Sequence, residues 1–440
     1  MNLRIDQFVK IKVSWISFST ILFIVFVFLS EWIQKQGILS FPLGVRHFSI
    51  VFVFLINWAL FGRRFKLNQF YLFCLLLLVF YLIVSYFFTS AALLNYLLGI
   101  FFTFLFIVMF VIGSNIKTDP RVIIRIFMGL LIFFIIMSVG PILRSLESGT
   151  SLRWIPGMFR ELGAFGSSMN IGVIISLSLY IISGKKIYIY LAVFLSFGVF
   201  LTILKKSILS NLVVWIVFAF YQVSVATRRR MFLYGVLFLF MSFTLVGDEF
   251  AHDLKVNIDY YKRTGPSSHV RVGMYLAGFN IASDYFPFGS GMGTFGSLAS
   301  IIGGYSNLHI EYGVSKIGAN EPQDVAKGHH TLLDTYWPHI IAELGYIGTL
   351  IFLMIWFFPL FATFFVVIKS SIPLIRGLGF YVILMILIMT NEGITLYTPE
   401  IPSFVLLHSG ITGLCYYHIH NFRLVKEREI NDYPHNILSN

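Results

Sequence analysis

The chain is 440 residues long, 58% hydrophobic, 18% aromatic and 12% charged, with a formal net charge of +12 and a mean hydropathy of +0.84. A soluble domain averages about 25% charged residues, so this composition excludes a normal water-facing surface and, with it, a soluble enzyme, a receptor kinase or a nucleic-acid binder. Apolar runs of the ~20 residues needed to cross a bilayer recur along the whole length and predict an all-α polytopic membrane protein, with residues 1–440 in a single membrane domain.

Twelve spans are predicted in chain order, at 14–32, 47–62, 69–89, 92–112, 121–142, 165–183, 187–204, 208–226, 231–247, 339–368, 373–391 and 401–419. The first apolar run, Trp15 to Leu29, leads into "SEWIQKQG" and not into a small-residue cleavage site, so it is expected to stay as a helix. Cys74 and Cys415 both fall inside apolar runs, which predicts packing roles rather than a disulfide.

Orientation follows from the basic residues. With the N-terminus inside, the inner segments hold 19 of the 32 lysines and arginines but five of the 20 acids, the bias of the positive-inside rule. The positive excess is therefore topological and implies no acidic partner. Both termini are then cytoplasmic, and every polar segment of any length faces outward. One such loop is 144–164, between spans five and six. The other, 247–338, lies between spans nine and ten and is expected to contain short interfacial helices. Inner connections such as "SGKK" and "ATRRRM" are too short to hold a site, which puts any chemistry on the outer face.

In the smaller loop, "SLRWIPGMFRELGAFGSSMN" places Arg153 and Arg160 just before span six. The tight turn "TILKKSILSN" adds Lys205 and Lys206. In the larger loop, "SSHVRVGMYLAGFNIASDYF" puts Val270, Met274, Ala277 and Ile281 on one helical face. That helix is too short to span and suits the membrane interface, with Arg271 near headgroup depth. It ends at "DYFPFGSGMGTFG", where a proline and four glycines break any regular element. "GSGMG" alone reads as a flexible turn, because no predicted strand precedes it as in a nucleotide-binding loop. One such cation could simply snorkel or anchor. Basic groups from three outer segments point instead to an anionic ligand, and phosphate suits the fork-shaped donors of arginine.

The stretch "KGHHTLLDTYWPHIIAELGYIG" begins polar and runs into a span. If it is already helical, His330 and Asp334 are spaced i, i+4 and share a face. A carboxylate beside an imidazole raises its pKa and orients it, which suits a general base. His329 faces about 100° away. The other reading has solvent-facing histidines and Asp334 as a helix cap. Tyr336 and Trp337 suit the membrane interface, and they join Tyr275 as candidate substrate-contacting aromatics. The His-His-Asp spacing matches no standard metal-ligand pattern.

Four of these stretches together resemble the O-antigen polymerase (Wzy) and O-antigen ligase superfamily of bacterial envelopes. "RELGAFGSSMN" is similar to its arginine-glycine-phenylalanine-asparagine motif, and "KKS" to the polar pair after the next span. "RVGMYLAGFNIASDYFPFGSGMGTF" is similar to its arginine-led helix followed by proline and glycines. "LLDTYWPHIIAELGYIG" is similar to its closing glutamate-x-glycine-x-x-glycine motif. The resemblance covers residues 160 to 350. Ligase-like members have a histidine where Asp334 stands, so "DTYW" looks more like a polymerase, and the role of that histidine falls to His330, His329 or Asp334.

The resemblance implies a glycosyltransferase of the bacterial inner membrane. Its substrates would be undecaprenyl-pyrophosphate-linked glycans as donor and acceptor, joined at the periplasmic face with no metal and no cofactor. Arg160, Arg271, Lys206 and Arg153 would then bind pyrophosphate. A chain-length regulator and a flippase are candidate partners. The ligase, with a lipid A core acceptor, is the alternative. A non-catalytic flippase of lipid-linked glycans is a further one, although transporters place ionisable groups near the midplane and show internal repeats.

Overall fold

A computed structural model describes residues 67–89, 91–148, 162–202, 204–222, 270–302, 305–317, 320–326, 331–394 and 401–431, and a few helical positions between 52 and 59. The predicted spans 14–32 and 231–247, most of 47–62, and the candidates Arg153, Arg160, His329 and His330 lie outside the described residues.

Helices are the repeating elements among the described residues, as the apolar runs predict. In order they are α1 (Gln69–Tyr86), α2 (Leu93–Asn115), α3 (Pro120–Ser148), α4 (Leu162–Ser183), α5 (Ile187–Leu201), α6 (Lys205–Gln222), α7 (Val270–Asp284), α8 (Leu298–Ile302), α9 (Leu308–Glu311), α10 (Pro322–Ala326), α11 (Trp337–Lys369), α12 (Pro373–Gly393), α13 (Pro402–Val405) and α14 (Thr412–Asn431). A π-helical turn, Leu406–Ile411, joins the last two. Six of these helices are long and apolar enough to cross a membrane, namely α1, α2, Pro120–Arg144 of α3, Phe165–Ser183 of α4, α11 and α12. The chain is a membrane-embedded helical protein.

The caps follow from local chemistry. The Asn68 side chain accepts the Phe70 amide at 2.9 Å and starts α1, and Asp119 accepts the Arg121 amide at 2.8 Å at the start of α3. Pro120 and Pro373 open α3 and α12, where a missing N–H costs nothing. Much of α1 faces away from the protein, with Phe73 62% and Phe80 65% exposed, which suits a lipid-facing surface.

Three features position the functional end. First, α4 is buried almost all round, packed between α3, α5 and α12. Second, α2 crosses the π-turn and the start of α14 through glycines: Gly113 lies against Gly410 and Gly413, with no room for a Cβ at Gly113, the close approach that small residues permit between membrane helices. Third, α7 does form where expected, but its apolar face is turned inward. Met274, Ala277 and Ile281 are buried and α7 packs against α11, so that face serves a protein core instead of the membrane interface.

The start of α11 also differs from expectation. The helix begins at Trp337, and residues 331–336 form turns in which the Asp334 amide donates to the Thr331 carbonyl at 3.0 Å. Asp334 is therefore not on a helical face, while His330, with which it was expected to share one, lies outside the described residues.

Candidate functional site

The ends of α1, α5, α7 and α12 meet the starts of α2, α4, α6 and α11 at one end of the bundle. The central feature is a break in α11. Gly345 has φ 62° and ψ −176° inside the helix, so the carbonyls just before it lose their helical donors. Each one finds another. The Ala342 carbonyl accepts the Ser290 amide at 2.9 Å, and the Glu343 carbonyl accepts the Gly291 amide at 3.1 Å. The Leu344 carbonyl accepts the Tyr81 hydroxyl at 2.6 Å, with the Pro287 carbonyl 2.9 Å from the same oxygen.

The two amide donors come from the glycine-rich stretch, which is not a loose turn. Gly289, Gly291, Gly293 and Gly296 all have positive φ, and residues 289–300 are all buried. Gly293 lies against the backbone of Asn95, and Gly99 comes up to Gly293 in turn, so the loop also seats on the start of α2. The Thr89 hydroxyl donates to the Ser290 carbonyl at 2.6 Å. Gly348, one turn past the break, leaves room for the Tyr81 ring.

Glu343 completes the seam. Its side chain is wholly buried, and its Oε1 accepts the Phe295 amide at 2.9 Å and the Ser297 hydroxyl at 2.7 Å. The glutamate-x-glycine-x-x-glycine run therefore has a physical reading at each position: a carboxylate that pins the loop, a break that receives it, and a gap for Tyr81. His339, one turn before Glu343, is buried beside it.

His309 supports the far side of the loop. Its Nε2 accepts the Gly296 amide at 3.1 Å, and its Nδ1 lies 3.2 Å from the Ser306 carbonyl. A carbonyl can only accept, so Nδ1 carries the proton and the ring is neutral. Burial pushes its pKa down to about 4. The ring also stacks on Phe295 at 5.2 Å.

A second cluster joins α4, α6 and α12. Gly166 lies against the Ser207 side chain, and the Asn170 amide donates to the Ser207 carbonyl at 2.9 Å. Asn211 donates to Asn170 at 2.9 Å and lies 3.2 Å from Ser196 Oγ. Lys206 Nζ stands 3.1 Å from Glu392 Oε2, with Glu392 fully buried and the lysine side chain 18% exposed. Next along the chain, the Gly393 carbonyl accepts the Tyr336 amide at 2.9 Å. The Trp337 indole donates to the Thr390 carbonyl at 3.0 Å, and the Tyr275 hydroxyl reaches the Ile394 carbonyl at 3.4 Å.

Four sequence-predicted residues, Lys206, Tyr275, Tyr336 and Trp337, thus converge on the end of α12. Tyr336 and Trp337 are buried there, so their rings pack inside the protein and do not stand open to solvent. Burial lifts the Tyr275 phenol to about 12. Arg271 is exposed on the first turn of α7, four residues from Tyr275. Asp334, half-buried, precedes Tyr336 by two residues.

Sequence reasoning passed over Glu392, His339 and His309. The signal for Glu392 was present as a lone acid at the end of an apolar run, which is rarely idle in a membrane helix. Among the described residues, no group of three or more His, Cys, Asp and Glu side chains could hold a metal ion.

No protein-family model matches the chain, and no curated protein matches it either.

Proposed function

We propose that the protein is a polymerase of O-antigen or a related surface polysaccharide, joining undecaprenyl-pyrophosphate-linked repeat units at the outer face of the inner membrane. In this reading the chain has twelve spans, cytoplasmic termini and its glycine-rich end in the periplasm. The observation that carries it is convergence. The four stretches on which the family resemblance rests come together at one end: Gly166 and Asn170 on Ser207, and Gly289 and Gly291 on the Glu343–Gly345 break. Lys206 and Glu392 link α6 to α12. A chance scatter of weak motifs would have no reason to meet. The opposite end carries Lys117, Arg121, Lys185, Lys186 and Lys369, as a cytoplasmic face would.

In the reaction, a hydroxyl oxygen of one lipid-linked repeat attacks the anomeric carbon of the growing chain. The bond from that carbon to the pyrophosphate oxygen breaks, and the electron pair leaves with undecaprenyl pyrophosphate. The hydroxyl proton passes to a base among His330, His329 and Asp334. Charge developing on the leaving group is met by Arg160, Arg271 and Arg153. Lys206 contributes less, because Glu392 already offsets its charge.

Complementation of an O-antigen-polymerase-null strain tests this reading. Wild type should restore the lipopolysaccharide ladder. Arg160→Ala, Arg271→Ala and Asp334→Ala, present in the membrane at equal levels, should not. Rescue of a ligase-null strain instead would replace the polymerase with the ligase. Full ladders from all three variants would remove the site assignment.

A further inference from the structure

Well inside the bundle, two backbone irregularities face one another. The π-turn Leu406–Ile411 inserts an extra residue into the last span, so His408, Ser409 and Thr412 all line one cavity. In a regular helix, neighbours such as His408 and Ser409 point about 100° apart. Tyr381 donates to the Leu407 carbonyl at 2.7 Å and satisfies one group that the π-turn displaces. Across the cavity, Pro359 interrupts α11 and has no N–H to give the Ile355 carbonyl four residues earlier. Ile355 and Pro359 line the same space, with Tyr71, Phe106 and Trp356.

The cavity is apolar except on this side. The His408 ring stacks on Trp356 at 4.8 Å, and its Nδ1 lies 2.8 Å from the Ser409 hydroxyl. Among the described residues its Nε2 has no hydrogen-bond partner, and neither has the Thr412 hydroxyl. Both residues are almost wholly buried. A buried polar atom left unsatisfied is costly, whereas one bonded to an internal water is not.

We propose that this cavity is an internal hydration site, in which one water molecule bridges His408 Nε2 and the Thr412 hydroxyl and donates to the Ile355 carbonyl. Size and chemistry agree. The cavity gives the centre of a water molecule about 10 Å³, close to the minimum that a single ordered water needs, and three polar groups match the usual number of its bonds. A larger or charged ligand does not fit. The water ties α11 to the last span at the one place where both have given up a backbone bond, and so holds the π-turn in register.

Two measurements on the full-length protein in nanodiscs test the site. The first is a density map at water-resolving resolution. A peak within about 3.2 Å of both His408 Nε2 and Thr412 Oγ1 is expected, and a map with no peak between them overturns the proposal. The second is a thermal double-mutant cycle with His408→Phe, which keeps the ring stack, and Thr412→Val, which keeps the shape. Each single variant should lower Tm by about 2–4 °C, because it strands the water's other partner. The double variant should lose clearly less than the sum of the two. Strictly additive losses would mean that the two side chains share no ligand and would also overturn it.

Discussion

Gly289 and Gly345 meet with no side chain between them: a Cβ on Gly345 would come within 2.6 Å of the Gly289 amide nitrogen and 2.7 Å of the Pro287 carbonyl. Both residues also hold positive φ, so an alanine at either position is opposed twice, by backbone strain and by backbone collision. Gly345→Ala should cost at least about 3 kcal/mol, combining ~1–3 kcal/mol of conformational strain with displacement of the loop. Gly140 gives the contrast, because it lies within α3 and a Cβ there meets nothing within 4 Å. Gly140→Ala should be neutral or stabilising by about 0.5–1 kcal/mol. Thermal unfolding of the purified variants in detergent reads both, and equal behaviour of the two would contradict the interlock.

The Lys206–Glu392 pair predicts an asymmetry between single and double changes. Lys206→Ala strands a fully buried carboxylate and should destabilise by about 3 kcal/mol, whereas replacing both residues by methionine should recover most of that loss. Thermal shift on the three proteins gives the comparison. A double variant as unstable as the single ones would mean that the pair is tied into more than its own charges.

Glu343 acts through one oxygen. Glu343→Gln keeps an acceptor for the Phe295 amide and the Ser297 hydroxyl, so it should retain most of the stability. Glu343→Ala leaves both donors buried without that acceptor and should cost about 2–4 kcal/mol. Limited proteolysis within residues 289–300 should be slow in wild type and Glu343→Gln and fast in Glu343→Ala. Equal cleavage rates would show that the loop does not depend on this carboxylate.

His309 sets a pH dependence whose sign follows from its tautomer. Burial holds its folded-state pKa near 4, against an ordinary value of 6.5. Between those values the unfolded chain binds a proton that the folded protein does not, so stability falls as pH falls from about 6.5 to about 4. The slope approaches 1.4 kcal/mol per pH unit. The contribution is fully present above pH 6.5 and levels off below pH 4. Tm should therefore drop faster over this window in wild type than in His309→Phe, which keeps the stack on Phe295 but cannot titrate. Parallel curves would remove the histidine from the account.

Span positions were legible because hydrophobic run length is a local property: six of the predicted spans coincide to within a few residues with described helices long and apolar enough to cross a membrane. The interlock was not. The reason for Gly289 lies in Gly345, more than fifty residues away, and no local pattern distinguishes a buried glycine that admits a neighbour from one that merely bends a loop. The helix start was misjudged for a related reason. Asp334 precedes an apolar run that reads as helix, yet Tyr336 gives its amide to Gly393 on another helix and regular structure begins only at Trp337. At the site, Lys206 was legible as a cation but its partner Glu392 was not, because nothing along the chain connects residue 206 to residue 392.

The seam between Ser290 and Ala342 has an architectural consequence. Because Ser290, Gly291, Phe295 and Ser297 are bonded to Ala342 and Glu343, the polypeptide departs from α11 at Ser297 and rejoins it at Trp337 through nearly the same doorway. Among the described residues in between, Leu298, Ala299 and Leu333 pack on Phe102 of α2, and Val314 and Leu332 pack with Met274 of α7, so the excursion is fastened at its two ends and seated on two neighbouring helices along its course. Lengthening an excursion whose ends are held together adds little closure entropy, so length can change wherever the contacts on α2 and α7 are kept. A graft of this excursion must therefore carry over the residues that meet Phe102 and Met274, and one that does so should leave the bundle assembled.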